Sequence, residues 1–165
     1  GMVLISEDRR GKALVGNLSI KENVLLSCID RYAKHGYLDE KKEKQDVSEK
    51  AEALKIRMTG LDQRIIELSG GNQQKAVFAK ALMTDPKVFL CDEPTQAVDI
   101  MTRNEIHKLL REKADAGNAV VYVSSDLKEI LEVADTIQLV VQGETRQLSV
   151  NENLTTTEVL SYCYE

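Results

Sequence analysis

The sequence predicts an α/β fold with a parallel-sheet core and a separate helical portion, on three observations. From Pro86 onward, short apolar runs alternate with helical patterns, as expected of strands joined by helical crossovers. The stretch from Ser19 to about Met83 shows helical periodicity instead. Between the two, a Ser-Gly-Gly step opens an alanine-rich segment and is followed by an apolar run that ends in adjacent carboxylates, Asp92-Glu93.

Ser19-x-x-Glu22 reads as a capping box ahead of Val24, Leu25 and Ile29, and Gly36 interrupts the helix it starts. A second, heavily charged helix is predicted over about Asp39 to Met58, with Val47, Ala51, Leu54 and Met58 as its apolar stripe and its charges a solvated face. After a turn at Thr59-Gly60, Leu61 to Leu68 lead into a helix that runs to Met83. Val88–Cys91 is a continuous apolar run, the pattern of a parallel strand buried on both faces. Thr102-x-x-Glu105 is expected to cap the next helix, with Ile106, Leu109 and Leu110 inward and Gly117 ending it. Ala119–Val123 is the next strand, and a short helix after Asp126 turns Leu127, Ile130 and Leu131 inward. Ile137–Val141 then enters a hairpin at Gln142-Gly143-Glu144, and Thr155-x-x-Glu158 starts a terminal helix.

Two motifs carry chemistry. In Leu68-Ser69-Gly70-Gly71-Asn72-Gln73-Gln74-Lys75, a helix N-terminus offers free backbone N–H groups and a dipole that favours an anion. Glycine lets a phosphate reach the backbone. Ser69 offers a hydroxyl for which capping and ligand donation compete. A bare Ser-Gly-Gly would be only a helix start with a glycine turn; the full octapeptide is specific. In Val88-Phe89-Leu90-Cys91-Asp92-Glu93-Pro94-Thr95, two carboxylates leave one strand end, where open parallel sheets bind ligands. They point in different directions, so Asp92 can hold a magnesium ion through water while Glu93 orients an attacking water, a division that suits phosphoryl transfer.

With these motifs the chain resembles the nucleotide-binding domain of an ABC transporter. Leu68 to Lys75 matches the signature, Val88 to Glu93 the Walker B strand with its catalytic glutamate, and Ala97-Val98-Asp99 the D-loop. The signature variant is most similar to the second ABC domain of bacterial carbohydrate importers of the ribose/galactose type, whose ATPase subunit carries two such domains in one polypeptide. Glu7-Asp8-Arg9, Asn17 to Asn23 and Val123 to Leu127 fit the same group, so the resemblance covers nearly the whole chain. It implies an ABC domain with a helical subdomain over 14–83, signature helix included, and the carboxyl-terminal part of the α/β core over 84–165.

A P-loop, G-x-x-x-x-G-K-[ST], is missing: the one Gly-Lys pair, Gly11-Lys12, is followed by Ala13 and has Ser6 where the first glycine belongs. Gly1 ahead of Met2 resembles a tag remnant, and the expectation is the later portion of an ABC domain, lacking Walker A and inactive alone. A helix terminus facing an anion supplies about 0.3 to 2 kcal/mol, whereas micromolar ATP binding needs roughly 8 kcal/mol. The signature therefore cannot hold ATP by itself. In the family it closes over ATP seated on the opposite domain, so Ser69, Gly70, Gly71, Asn72 and Gln73 are expected to contact nucleotide there, with ATP and Mg2+ as cofactors of the paired protein.

The resemblance also shows departures. Most ABC domains place a histidine two residues beyond Val123, where it contacts the γ-phosphate; here Ser125 stands, and a serine supplies no charge. The Q-loop glutamine position holds Glu7, Gln96-Ala97-Val98 replace the residues usual before Asp99, and Ile100-Met101 those after it. An asymmetric pair is expected, in which this signature completes the active site of the other domain and Glu93's own site is secondary.

Composition sets bounds. At 165 residues, 42% hydrophobic and 30% charged, the chain suits one modest soluble core. A net charge of -5 argues against a nucleic-acid partner. No apolar run approaches a membrane span. Cys28, Cys91 and Cys163 are scattered and odd in number, as in a reducing cytosol, and His35 and His107 have no neighbouring ligands for a zinc site. The expected partners are a second ABC domain, transmembrane permease subunits and, indirectly, a substrate-binding protein, with the chain peripheral on the cytoplasmic side of the membrane. The function expected is ATP hydrolysis coupled to solute uptake, of a sugar or, in similar importers, a nucleoside. Two alternatives stand beside it. A non-transport ABC ATPase would be distinguished by long coiled coils or a basic linker, and neither is visible. A nonenzymatic interaction module of ABC-like fold would be expected to lose Asp92, Glu93 or the signature.

Overall fold

The computed structural model describes residues 1–34, 36–149 and 154–164; His35 lies outside them. The chain divides into two compact units, Gly1–Val121 and Tyr122–Glu165.

In the first unit, strand β1 (Met2–Ile5) pairs in parallel with β4 (Val88–Asp92), Met2 opposite Val88 and Ile5 opposite Cys91. Strand β5 (Ala119–Val123) completes the order β1-β4-β5. β1 was not among the expected strands, although Met2-Val3-Leu4-Ile5 is as apolar as the runs that were. The expectation that β4 is buried on both faces is corrected. Phe89 and Cys91 are buried, but Val88 and Leu90 are half-buried, and neighbouring Leu4 and Val121 stand 64% and 49% exposed. Along β4 the buried residues alternate with half-buried ones, the pattern of a strand covered on one face.

The helical part forms as the caps dictate. Ser19 Oγ accepts from Glu22 N at 3.2 Å while Glu22 Oε2 accepts from Ser19 N at 2.7 Å, the reciprocal capping box of α1 (Ile20–Leu25). Those bonds hold the Glu22 carboxyl below its usual range, the serine hydroxyl contributing most. Fully buried Asn23 holds the approach to this helix, its amide donating to Val15 O and Ser19 O at 3.0 Å each and its oxygen accepting from Val15 N at 2.8 Å. Short strands β2 (Ala33–Lys34) and β3 (Tyr37–Leu38) form a small hairpin with Gly36 at φ +85°.

Helix α2 (Glu40–Ala53) begins on an Asp39 cap and ends before the expected Met58. Lys55 takes φ +51°, Ile56 N donates to Ala51 O at 2.9 Å and Lys55 N to Glu52 O at 2.9 Å. That is a Schellman end with lysine in the place glycine usually fills, which hid it from the sequence. Helix α3 (Gly70–Met83) is buried on nearly all sides, through Ala76, Val77, Phe78, Ala79 and Ala81, and packs against α1, α2 and β1. Helix α4 (Ile100–Asp115) has its cap three residues before the expected Thr102. Asp99 is the cap, because a carboxylate placed one turn earlier captures Thr102 N at 2.9 Å. Gly117, at φ +91°, ends it as expected.

The second unit holds α5 (Leu127–Val133), the antiparallel pair β6 (Thr136–Val141) and β7 (Glu144–Ser149), and α6 (Thr156–Tyr164). The hairpin expected at Gln142-Gly143-Glu144 forms with Gln142 and Gly143, both at positive φ, as its two turn residues and Glu144 already in β7. Ile130, Ile137, Leu139 and Val159 form its core, with Leu127 and Leu131 packed against them.

Candidate functional site

The octapeptide folds as a loop-to-helix junction with Ser69 at its cap. Ser69 Oγ accepts from Asn72 N at 3.4 Å and from Asn72 Nδ2 at 2.9 Å. Both bonds use oxygen lone pairs, so the hydroxyl proton has no acceptor among the described residues. Capping and ligand donation therefore coexist on one atom, where the sequence had them compete. Asn72 is held in turn, its Oδ1 accepting from Arg57 N at 2.9 Å. Ser69 is exposed and Gly70 half-buried, so the first turn of α3 opens outward. Gln73 faces the other way: it is buried, and its amide donates to Leu68 O at 2.9 Å, bracing the approach to the helix. Lys75, the last residue of the octapeptide, forms a 2.5 Å ion pair with Glu105 that ties α3 to α4.

The carboxylates sit where β4 ends. Asp92 is its last residue and Glu93 the first beyond it, both half-buried. Glu93 takes φ +45° and Ala97 φ +53°, left-handed conformations that cost a non-glycine residue about 1 kcal/mol or more and that cluster at functional sites. The turn closes through Gln96 N to Glu93 O at 3.1 Å. Asp99 then caps α4 with both oxygens, Oδ1 accepting from Thr102 N and Oδ2 from Thr102 Oγ1 at 2.9 Å each. These bonds, the backbone one foremost, hold its carboxyl below the usual range.

The glycines of the octapeptide rest against the segment that follows the carboxylate turn. A side chain on Gly70 would lie 3.7 Å from Ala97 O, and one on Gly71 would lie 2.8 Å from Thr102 Oγ1 and 3.1 Å from Asp99 Oδ2. The missing side chains let the start of α3 rest on the loop between Thr95 and Thr102.

Glu7 is exposed, just after β1. Its carbonyl accepts from Arg9 N at 3.0 Å, and Arg9 Nη1 reaches Gly70 O at 3.4 Å, linking the Glu7 segment to the first turn of α3. Burial, with Arg10 alongside, lowers the pKa of Arg9. Ser125 belongs to the second unit, exposed after β5. There the preceding Ser124 Oγ donates to buried Glu129 Oε2 at 2.8 Å, and Tyr122 OH to Glu129 Oε1 at 2.9 Å, holding this loop from beneath.

Among the described residues no group of three or more His, Cys, Asp or Glu could hold a metal ion by itself. Asp92 and Glu93 are hard oxygen donors suited to Mg2+, which normally keeps several waters and takes one or two carboxylates plus phosphate oxygens; the residues fit such a partial set. Cys91 just before them is inert by burial, which pushes its thiol up to about 12. A cleft of about 170 Å³ is lined by Lys55, Lys75, Phe78, Glu105 and Leu109, none of them in the first turn of α3 or the carboxylate turn.

Sequence reasoning passed over Arg9 as a contact of Gly70, Thr102 as the partner of Asp99 and Gly71, and Glu129 beneath the Ser125 loop. The spacing Asp99-x-x-Thr102 could have shown the second of these. Nothing in the pattern marks the other two, which depend on tertiary approach.

Comparison with known proteins follows the same lines. A family model described as ABC transporter matches residues 2–96. The xylose import ATP-binding protein XylG of Paraburkholderia xenovorans is 38% identical over 161 residues, 98% of this chain and 31% of the relative. The ribose import ATP-binding protein RbsA 2 of Rhizobium meliloti is 39% identical over 160 residues, again 31% of its length. The chain thus spans about a third of the length of the curated relatives it matches. Among solved structures, a dimeric ATP-binding cassette in a post-hydrolysis state bound to ADP and Pi superposes with a TM-score of 0.77 at 26% identity, covering 91% of this chain and 63% of that one. The α/β fold with a parallel β1–β4 pair matches that cassette.

Proposed function

Because this chain belongs to the ABC transporter family, we propose that it is part of the ATP-hydrolysing subunit of an importer, coupling ATP hydrolysis to uptake of a sugar. The substrates for which those relatives are named, xylose and ribose, support the sugar class. Residues 14–83 serve as the helical subdomain and 84–165 as the carboxyl-terminal part of the core. The partners are a second ABC domain, transmembrane permease subunits and, indirectly, a substrate-binding protein, on the cytoplasmic face of the membrane. No helix among the described residues is long and apolar enough to cross a membrane, which fits a peripheral role.

The observation that carries this reading is the donor state of Ser69. Its oxygen is held by Asn72 and its proton is left over, beside the open N–H groups of the first helical turn. This arrangement donates to a phosphate oxygen and accepts nothing from it, as a lid over the γ-phosphate of ATP held by an opposing domain requires. Gly70 lets the phosphate approach the backbone, Gly71 seats the turn against Asp99 and Thr102, Asn72 fixes the serine, and Gln73 braces the turn from inside. On this domain's own side, Glu93 orients the attacking water. Asp92 holds Mg2+ through water, and the ion supplies charge neutralisation at the phosphates. Glu7 and Ser125 stand at the positions that sense the γ-phosphate, and Asp99 at the D-loop. Ser125 brings no positive charge, so this second site is the slower.

Calorimetric titration of the isolated chain with MgATP tests the division. No micromolar binding is expected, since one helix terminus supplies about 0.3 to 2 kcal/mol; saturation in the micromolar range would show a complete site and overturn the lid reading.

A further inference from the structure

Between β1 and α1 the chain forms one π-helical turn, Arg9–Ala13, with the five-residue hydrogen bonds Ala13 N to Asp8 O at 3.2 Å and Leu14 N to Arg9 O at 2.8 Å. Asp8 Oδ1 caps it by accepting from Gly11 N at 2.8 Å. Such turns are rare, and they occur frequently at functional sites. Two side-chain bonds tie this one to α3. Arg9 Nη1 donates to Gly70 O at 3.4 Å, and Lys80 Nζ donates to Ala13 O at 3.0 Å. Gly70 and Lys80 are ten residues apart on α3, about 15 Å at the helical rise of 1.5 Å per residue. One tie would allow the turn to swivel; ties at both ends fix its position and direction.

Neither cation has a carboxylate within ion-pair distance among the described residues, and both are about half-buried, where desolvation lowers their pKa. Each side chain keeps part of its water and spends a donor on a backbone carbonyl. What the charged groups add is directional bonding between two segments that sequence separates by 61 and 67 residues.

We propose that Arg9 and Lys80 are positioning residues that strap the turn after Glu7 onto the signature helix, so that a displacement at Glu7 moves Ser69 and Gly70. The inference rests on the lid reading above and adds a direction to it. On that reading Glu7 lies beside this domain's own ATP and Ser69 faces the other ATP, so the strap carries the state of one site to the other. Arg9 acts through the Gly70 carbonyl and touches no nucleotide.

The test uses the full-length two-domain ATPase, with steady-state hydrolysis, its Hill coefficient for ATP and Tm measured on each variant. Arg9→Met should lower kcat about fivefold or more, the lower end of typical inter-site coupling, and bring the Hill coefficient towards one while KM changes less than about twofold. Arg9→Lys, which keeps a cationic donor but not the guanidinium fork, should restore part of kcat without needing to restore Tm. Lys80→Met should act in the same direction, and the double variant should lose less than the product of the single losses, because both residues serve one strap. Wild-type kcat and Hill coefficient in Arg9→Met would overturn the proposal, as would a kcat loss that follows Tm and is not recovered by lysine. Ser69→Arg in the same protein separates the two readings. If it abolishes hydrolysis while Arg9→Met does not disturb it, the strap alone fails; if Ser69→Arg leaves hydrolysis intact, the lid reading fails.

Discussion

Gly71→Ala probes the contact between the octapeptide and the start of α4 directly. The added Cβ would lie 2.8 Å from Thr102 Oγ1 and 3.1 Å from Asp99 Oδ2, with Thr102 Cβ next at 3.5 Å. The hydroxyl cannot simply swing aside, because it donates to Asp99 Oδ2 at 2.9 Å while the other carboxylate oxygen caps α4 through Thr102 N. Relief requires moving α3 away from α4 or breaking the cap. Overpacking of this kind costs about 1 to 3 kcal/mol, while replacing glycine by alanine inside a helix returns up to about 1 kcal/mol. The expected net destabilisation is about 0 to 3 kcal/mol, which a single variant does not assign to one contact. A double-mutant cycle removes the ambiguity. In Thr102→Ala the nearest atom is gone and the remaining 3.1 Å contact needs a shift of only a few tenths of an ångström. There Gly71→Ala should be neutral or stabilising, giving a coupling energy of about 1 kcal/mol or more. Urea unfolding of the four proteins, followed by far-UV circular dichroism, measures it. Equal effects of Gly71→Ala in both backgrounds, within about 0.3 kcal/mol, would refute the claim that Gly71 is small because of Thr102.

Other consequences are simpler to check. In the full-length protein Ser69→Arg should remove most ATPase activity, because it replaces the donor hydroxyl with a side chain that fills the first turn, whereas Glu93→Gln should cost less; equal losses, measured by phosphate release, would reject the asymmetry between the two sites. Three carboxyls, Glu22, Asp99 and Glu158, have pKa values held below their ordinary 4.5, 3.8 and 4.5 by cap hydrogen bonds. A depressed folded pKa contributes stability that is present above the unfolded value and is lost as pH falls through the folded one. Thermal stability should therefore hold at neutral pH and decline below about pH 4.5, and Glu22→Gln should make that acid decline shallower; an unchanged profile would show that these caps do not contribute to it.

How much of this was legible in the sequence depended on whether the signal was local. Ser19-x-x-Glu22, Gly117 and Gln142-Gly143 act within one turn, and each forms what its pattern implied. The signals that failed were also local but had competitors. Thr102-x-x-Glu105 looked like a capping box, yet Asp99 stood one turn earlier, and Glu105 was drawn to Lys75 instead. Met58 extended an apolar stripe that a left-handed Lys55 cut short. β4 read as doubly buried because apolar content does not say whether both faces find cover. At the site, the sequence named the octapeptide and the carboxylates, but could not show that Gly71 rests on Thr102 or that Arg9 returns to Gly70, since those approaches cross 31 and 61 residues of chain.

The geometry assigns different chemical capacities to the two segments in contact at Gly71. Asp99 uses both oxygens to cap α4 and has its charge stabilised there by Thr102. It can accept a further bond through a remaining lone pair, but the cap fixes where those lone pairs point. Ser69 is the reverse, an oxygen fixed by Asn72 with a proton still to give. A partner that brings anionic oxygens therefore gains from Ser69, and one that brings N–H or O–H donors gains from Asp99. The glycine contact holds the two at a set separation, so loss of Gly71 would disturb anion recognition and the neighbouring acceptor together. Substitutions at Asn72 would disturb only the first: Asn72→Ala leaves the Asp99 cap untouched and removes the 2.9 Å side-chain bond, so that only the 3.4 Å backbone bond still holds Ser69 Oγ. In the full-length ATPase it should raise KM for ATP with little change in the stability of α4.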